Sequence, residues 1–184
     1  MLEKKLIRIM GTYEHLMRDL ELVGRLNLPE WCIAAGYVRN YVWDYLHEYR
    51  HRTPLNDVDV LYYDPDDLRG ETEKKYETIL KHQLQQYNWS VKNQARMHLR
   101  NHEDPYLSVE DAMKRWPETA TAVGIRLDRS HHLEVIAPHG LNDLFDLVIR
   151  RSPYFKDKHY FYTRVQNKRW LELWPKLRII AEEE

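Results

Sequence analysis

Leu6, Ile9, Met10, Tyr13, Leu16, Met17 and Leu20 recur at the spacing of one helix face, which predicts an amphipathic helix over roughly residues 2 to 25, ended by Asn27-Leu28-Pro29. Trp31 to Ala34 reads as a short buried strand and Ala35-Gly36 as a turn. Tyr37 to Tyr49 follows as a helix with Val38, Tyr41, Val42, Tyr45 and Leu46 on one stripe. Asp57 to Tyr62 has the β-branched and aromatic content of a buried strand. Beyond the Asp64 to Gly70 turn, Glu71 to Tyr87 predicts a helix with Tyr76, Ile79, Leu80 and Leu84 turned inward, and Trp89 to His98 a strand.

The second half is read the same way. A polar loop from Arg100 to Leu107 leads to Ser108, which caps a short helix that Pro117 ends after Trp116. Thr121 to Leu127 and His132 to Ile136 form a hairpin, and a short helix from Asn142 precedes a strand near Leu147 to Arg150. Phe161, Val165, Trp170, Leu171 and Trp174 place a docked helix between Asp157 and Leu177. The expectation is an α/β (α+β) chain: a mixed sheet flanked by helices, one domain over residues 1–184 with an N-terminal helix and a helical C-terminal tail.

Composition narrows the picture. At 184 residues with 43% hydrophobic content the chain supports a sizeable core, and 28 basic against 29 acidic residues leave a net charge of −1. No bulk positive field therefore argues for nonspecific binding of long nucleic acid. The one cysteine, Cys32, excludes an intrachain disulfide, the N-terminus lacks a signal-peptide run, and no stretch reaches a membrane span. The expected location is the cytoplasm, with no membrane partner.

The candidate chemistry lies in residues 34–63. Successive strand side chains face opposite ways, so Val58 and Val60 share one face and Asp57 and Asp59 the other. Those two carboxylates are then about 6.6 Å apart at Cα and aimed alike, an arrangement suited to hard cations bridged by carboxylate and phosphate oxygens. Just upstream, strand, glycine turn and helix make an anion cradle: Gly36 lets the backbone approach a phosphate, the first helical N–H groups lack partners, and Arg39 adds a charged fork.

Gly36-Tyr37-Val38-Arg39-Asn40, a helix, and Asp57-Val58-Asp59 resemble the head of the polymerase-beta-like nucleotidyltransferases, especially the CCA-adding tRNA nucleotidyltransferases. Ala35 stands where that motif has its first glycine and Asn40 where it has aspartate. Glu110 to Arg115 with Thr119-Ala120-Thr121-Ala122 is similar to the family's Arg-Arg-Asp motif and following Thr-Ile-Asn-Ala strand. Gly140 to Leu144, Ile149-Arg150 and Ser152-Pro153 resemble the segment beyond. Over nearly the whole chain the resemblance is to a small bacterial group of nucleotidyltransferase-like proteins of unknown substrate.

The resemblance implies transfer of a nucleoside monophosphate from a nucleoside triphosphate to a hydroxyl, with Mg²⁺ or Mn²⁺ as cofactor. Asp57 and Asp59 would be the catalytic metal ligands, and Ala35, Gly36, Arg39, Asn40, Arg96 and Arg115 the nucleotide contacts. The acceptor stays open among small molecule, RNA and protein. Trp116 and Pro117 replace the second arginine and the aspartate of Arg-Arg-Asp, so base and ribose recognition does not carry over. The strand that brings a third carboxylate in relatives offers only Lys92, Asn93 and Arg96.

Plainer readings stand beside these. Arg39 could instead pair with Asp44, although five residues is a poor helical spacing. Arg96 and Arg115 divide between nucleotide contacts and structural ion pairs. His131-His132 reads as a solvated turn, and Cys32 has no dyad partner. Six glycines without a Rossmann or Walker run, and an aspartate doublet without the EF-hand glycine, exclude those sites. A non-catalytic nucleotide- or RNA-binding module is the runner-up. The third reading is a partner-binding protein, drawn from six tryptophans and thirteen tyrosines.

Overall fold

The computed structural model describes residues 1–180; residues 181–184, which the single-domain expectation includes, lie outside the described residues. The N-terminal amphipathic stretch is two helices, α1 (Leu2–Met10) and α2 (Leu16–Gly24). Helical spacing runs through both, but Thr12 donates its hydroxyl to the Ile9 carbonyl at 2.7 Å and the chain turns at Gly11 to His15. The turn carries Tyr13 to Tyr87, hydroxyl to hydroxyl at 2.6 Å. Tyr87 and Tyr37 both donate to the buried Asp19 carboxylate at 2.8 Å. Leu6, Ile9, Met10, Leu16 and Leu20 are buried as their spacing requires, whereas Met17 is exposed.

The remaining elements are β1 (Cys32–Ala34), α3 (Gly36–Leu46), β2 (Val58–Tyr62), α4 (Gly70–Gln83), β3 (Trp89–Asn93), α5 (Gln94–Asn101), α6 (Val109–Lys114), β4 (Gly124–Leu127), β5 (Leu133–Ile136), α7 (Asn142–Phe145), β6 (Val148–Ile149), α8 (Lys158–Asn167), α9 (Trp170–Leu173) and β7 (Arg178–Ile179). Five strands make a mixed sheet in the order β3-β2-β1-β4-β5, with only the β2–β3 pair parallel. This is the mixed sheet flanked by helices that the hydrophobic pattern predicts. At the β3 edge, α4 supplies acceptors to unpaired strand donors: Glu77 takes the Val91 N–H at 3.0 Å and Glu73 the Asn93 N–H at 2.9 Å.

Helix α3 is the centre of the packing. Tyr37, Val38, Val42 and Trp43 are buried, with Trp43 edge-on to Trp170 and Trp174 from the tail. Tyr45, expected on the inward stripe, is exposed, as are Ile79 on α4 and Leu171 on α9. Five of the six tryptophans (Trp31, Trp43, Trp89, Trp170 and Trp174) are buried and Trp116 is half-buried, so the tryptophans build the core and no exposed patch. The tail contributes two helices, α8 and α9, where one was expected.

Two boundaries move for local reasons. The strand from Trp89 stops at Asn93, whose side chain accepts the Ala95 N–H at 3.1 Å and starts α5 without a loop. Thr119–Thr121 is a 3₁₀ turn, and the hairpin strand begins at Gly124. There a Cβ would stand 2.8 Å from the Cys32 sulfur on the neighbouring strand, so the close β1–β4 approach requires glycine. No helix among the described residues is long and apolar enough to cross a membrane.

Candidate active site

The glycine turn and the aspartate doublet meet because β1 and β2 run antiparallel with Ala34 opposite Asp59. The end of β1 and the start of β2 therefore share one end of the sheet, and the start of α3 opens beside both carboxylates. Asp57 precedes β2 and is exposed; Asp59, two residues on and near enough to feel the Asp57 charge, is half-buried. Val58, Val60 and Tyr62 point into the main core.

Asp59 carries the electrostatic mark of the site. Burial, reinforced by the Asp57 charge, pushes its carboxyl up to about 6; a hydrogen bond from Ser90 and the charges of Arg39 and Lys168 only partly oppose this. Two neighbouring carboxylates of which one resists ionisation form a hard-oxygen donor set that a divalent cation would satisfy, so the residues fit such an ion. Among the described residues no third His, Cys, Asp or Glu joins them. The strand position opposite Asp59 on β3 is Ser90.

Ala35 has φ 54° and ψ −123°, a backbone conformation suited to glycine, and it fills the place where the resemblance expects glycine. Its N–H donates to the Val123 carbonyl at 2.9 Å, which ties the turn to the segment before β4. Arg39 lies behind Gly36, nearly fully buried between the rings of Trp43 and Trp170 at 5.0 and 4.3 Å. It donates Nε and Nη2 to Asn40 Oδ1 at 3.2 and 2.8 Å and Nη1 to Thr121 Oγ1 at 2.7 Å. Burial lowers the guanidinium to about 10; the Glu118, Asp59 and Asp57 charges oppose that fall, while Arg164 adds to it. Asp44, the alternative partner for Arg39, instead accepts from the Thr53 N–H and Trp174 Nε1, both at 2.8 Å.

The other arginines divide. Arg96 sits on α5, not on a strand, and reaches Glu73 at 3.0 Å, so the structural ion-pair reading holds for it. Arg115 faces a cleft of about 660 Å³ that Ala35, Asp59 and Thr121 also line, a size that suits a nucleotide. Its Nε is buried without a hydrogen-bond partner, its head lies 5.4 Å from the Tyr106 ring, and its nearest carboxylate, Asp111, is 3.9 Å away. Met97, Tyr106, Trp116 and Phe155 add apolar and aromatic side chains to the wall, and Arg100 a further guanidinium.

Sequence reasoning missed four contributors. Glu118 is buried, accepts Arg164 Nε at 2.7 Å with Oε1, and has no partner for Oε2. Arg164 and Tyr160 bring the tail helix α8 into the cleft wall, and Lys168 at its end acts on Asp59 through its charge. The signal was present: Tyr160, Arg164 and Lys168 are four residues apart. Elsewhere, burial pushes the Cys32 thiol up to about 12, and His131 and His132 are exposed in the hairpin turn, as the plainer readings have it. A larger hollow of about 870 Å³ near β5 contains none of the candidate residues, and its Arg126 and Glu134 pair at 2.7 Å.

The paired aspartates beside a glycine-type turn at the end of a mixed sheet define a nucleotidyltransferase head, and the chain belongs to the nucleotidyltransferase family, whose model matches residues 21–179. It is similar, at 32% identity over 97% of this chain and 96% of the other with a TM-score of 0.86, to a protein whose NMR structure reveals a CCA-adding enzyme head domain. Two further structures share the fold. A CCA-adding enzyme complexed with CTP has 14% identity and a TM-score of 0.58, covering 97% of this chain and 43% of that one. The Thermotoga maritima CCA-adding enzyme complexed with tRNA(CCA) has 14% identity and a TM-score of 0.57, covering 97% and 42%. The chain thus spans less than half the length of those two enzymes. No curated protein matches it.

Proposed function

We propose that this nucleotidyltransferase moves a nucleoside monophosphate from a nucleoside triphosphate to an acceptor hydroxyl, releasing pyrophosphate, with Mg²⁺ or Mn²⁺ held by Asp57 and Asp59. The observation that carries the reading is the register of Ala34 with Asp59, which sets the start of α3 against the carboxylate pair. When bound, the cation supplies Lewis-acid polarisation of the phosphate and lowers the pKa of the attacking hydroxyl.

The chain's own residues do the positioning. Gly36 and the first N–H groups of α3 receive phosphate oxygens, and Ala35 holds the strained turn that presents them. Arg39 and Asn40 stand behind the turn as a fixed positive floor, since the guanidinium is already committed to Asn40 and Thr121. Arg115, seated over the buried Tyr106 ring, contacts the nucleotide in the cleft, with the half-buried Trp116 as a stacking face for the base. Arg96 supports β3 and α4 through Glu73 rather than touching the nucleotide.

Transfer of ³²P from α-labelled nucleoside triphosphate into small molecules or RNA, followed with wild type and Asp57→Ala, tests the reading. Transfer that vanishes in a folded Asp57→Ala protein is expected; retained turnover in that variant refutes the assignment. The absence, among the described residues, of a third acid beside Asp57 and Asp59, with Ser90 at the β3 position opposite Asp59, favours one second reading, a nucleotide-binding module without turnover. Metal-dependent nucleotide binding with no transfer to any acceptor would support that reading.

A further inference from the structure

A second hollow bears on the acceptor. It has a volume of about 420 Å³ and is lined by Asn56, Tyr160, Thr163, Arg164, Asn167 and Lys168. Tyr160 and Arg164 also line the main cleft, so the two spaces adjoin across α8. Asn56 precedes Asp57 in the chain and belongs to the second hollow, whereas Asp59 belongs to the first. The second hollow therefore lies beside the carboxylates, and the charge of its Lys168 acts on Asp59. In-line displacement at phosphorus needs separate room for the attacking oxygen and the leaving oxygen, and two adjoining spaces beside the carboxylates offer it.

The lining specifies a chemistry. It consists of amides, hydroxyls, a guanidinium and an ammonium, with no carboxylate and no aliphatic side chain. Such a set holds an anion and hydroxyl groups and gives an amine no counter-charge. Arg164 is fixed by its Nε bond to the buried Glu118, so its head is pre-oriented, and Lys168 adds a point charge at the end of α8. The volume, near the lower end for ligand pockets, suits a mononucleotide or sugar phosphate. A net charge of −1 offers little to hold a polyanion along its length.

We propose that the acceptor is a small phosphorylated hydroxyl compound, its phosphate held in this hollow by Arg164 and Lys168 and its hydroxyl turned toward Asp57. The proposal rests on the nucleotidyltransferase reading of the main site. In the transfer the acceptor oxygen bonds to the α-phosphorus and the bond from that phosphorus to the bridging oxygen breaks. Pyrophosphate leaves with the electron pair, and the hydroxyl proton passes to solvent.

The test titrates ribose 5-phosphate, glucose 6-phosphate and AMP, with ribose and glucose as controls, into wild-type and Thr163→Val/Asn167→Leu protein, both positions lining the second hollow alone, loaded with Mg²⁺ and a non-hydrolysable nucleoside triphosphate. Expected is saturable binding of at least one phosphorylated compound, weakened tenfold or more in the variant, with nucleoside triphosphate affinity unchanged within twofold. Equal binding to both proteins, or none of the phosphorylated compounds binding, overturns the proposal. So does binding of an RNA 3′ end in their place. Loss of triphosphate affinity in the variant also overturns it by giving the hollow to the triphosphate. Failure of wild type to bind any triphosphate would instead overturn the nucleotidyltransferase reading beneath it.

Discussion

Replacing Asp59 by asparagine should stabilise the metal-free protein at pH 8. The carboxyl is held at about 6 against an ordinary 3.8, because burial and Asp57 both oppose its charge. Ionising it in the fold costs about 3 kcal/mol at most, and water reaching a half-buried side chain screens part of that, leaving about 2 kcal/mol. The sign follows from linkage: a folded-state carboxyl with a raised pKa contributes its full stability below 3.8 and loses it as the pH climbs through about 6. Asparagine keeps the shape and the acceptor for Ser90 without the charge. The variant should therefore melt about 4–8 °C above wild type at pH 8 in EDTA, with the gap closing toward pH 4. Differential scanning fluorimetry across that range provides the assay. Added Mn²⁺ should raise the wild-type midpoint and leave the variant nearly unmoved, reversing the order. A variant that melts at or below wild type at pH 8, or a gap that ignores pH, refutes the reasoning.

Three further outcomes follow from local geometry. Ala35→Gly should relieve the positive-φ turn and raise stability by about 1 kcal/mol after glycine's own entropy cost, read by urea denaturation. Gly124→Ala pushes a Cβ to 2.8 Å from the Cys32 sulfur and should cost about 1–3 kcal/mol in the same assay, with Cys32→Ala in the background recovering part of the loss. Asp44→Ala leaves the Thr53 N–H and Trp174 Nε1 without their acceptor and should cost about 2–4 kcal/mol, with the loss visible as altered tryptophan fluorescence.

The centre of the site was legible because its signals are local. Alternation predicts both carboxylates on one face, although β2 itself begins at Val58, and a glycine turn before an apolar helix marks the candidate cradle. The strained Ala35 could be read only through the resemblance, since nothing about alanine itself announces a positive φ. Arg96 was misplaced because Asn93 ends a strand and caps a helix at one position, a double role that β-propensity does not reveal. The α1–α2 turn was hidden by a hydrophobic period that continues through it. The tail was read for its apolar spacing alone, so the polar face of α8 with Tyr160, Arg164 and Lys168 went unseen. Glu118 was beyond reach, because its importance comes from Arg39 and Arg164 converging on it from distant parts of the chain.

In the proposed function, Asp57 and Asp59 hold a divalent cation for a bound nucleoside triphosphate. Isothermal titration of the four nucleoside triphosphates, each with Mg²⁺ and again with EDTA, into wild type and the Asp57→Ala/Asp59→Ala protein tests it most directly. Mg²⁺-dependent binding of at least one triphosphate to wild type, lost in the folded double variant, is the predicted result. Equal binding with and without the two carboxylates, or no binding to wild type at all, would contradict the account.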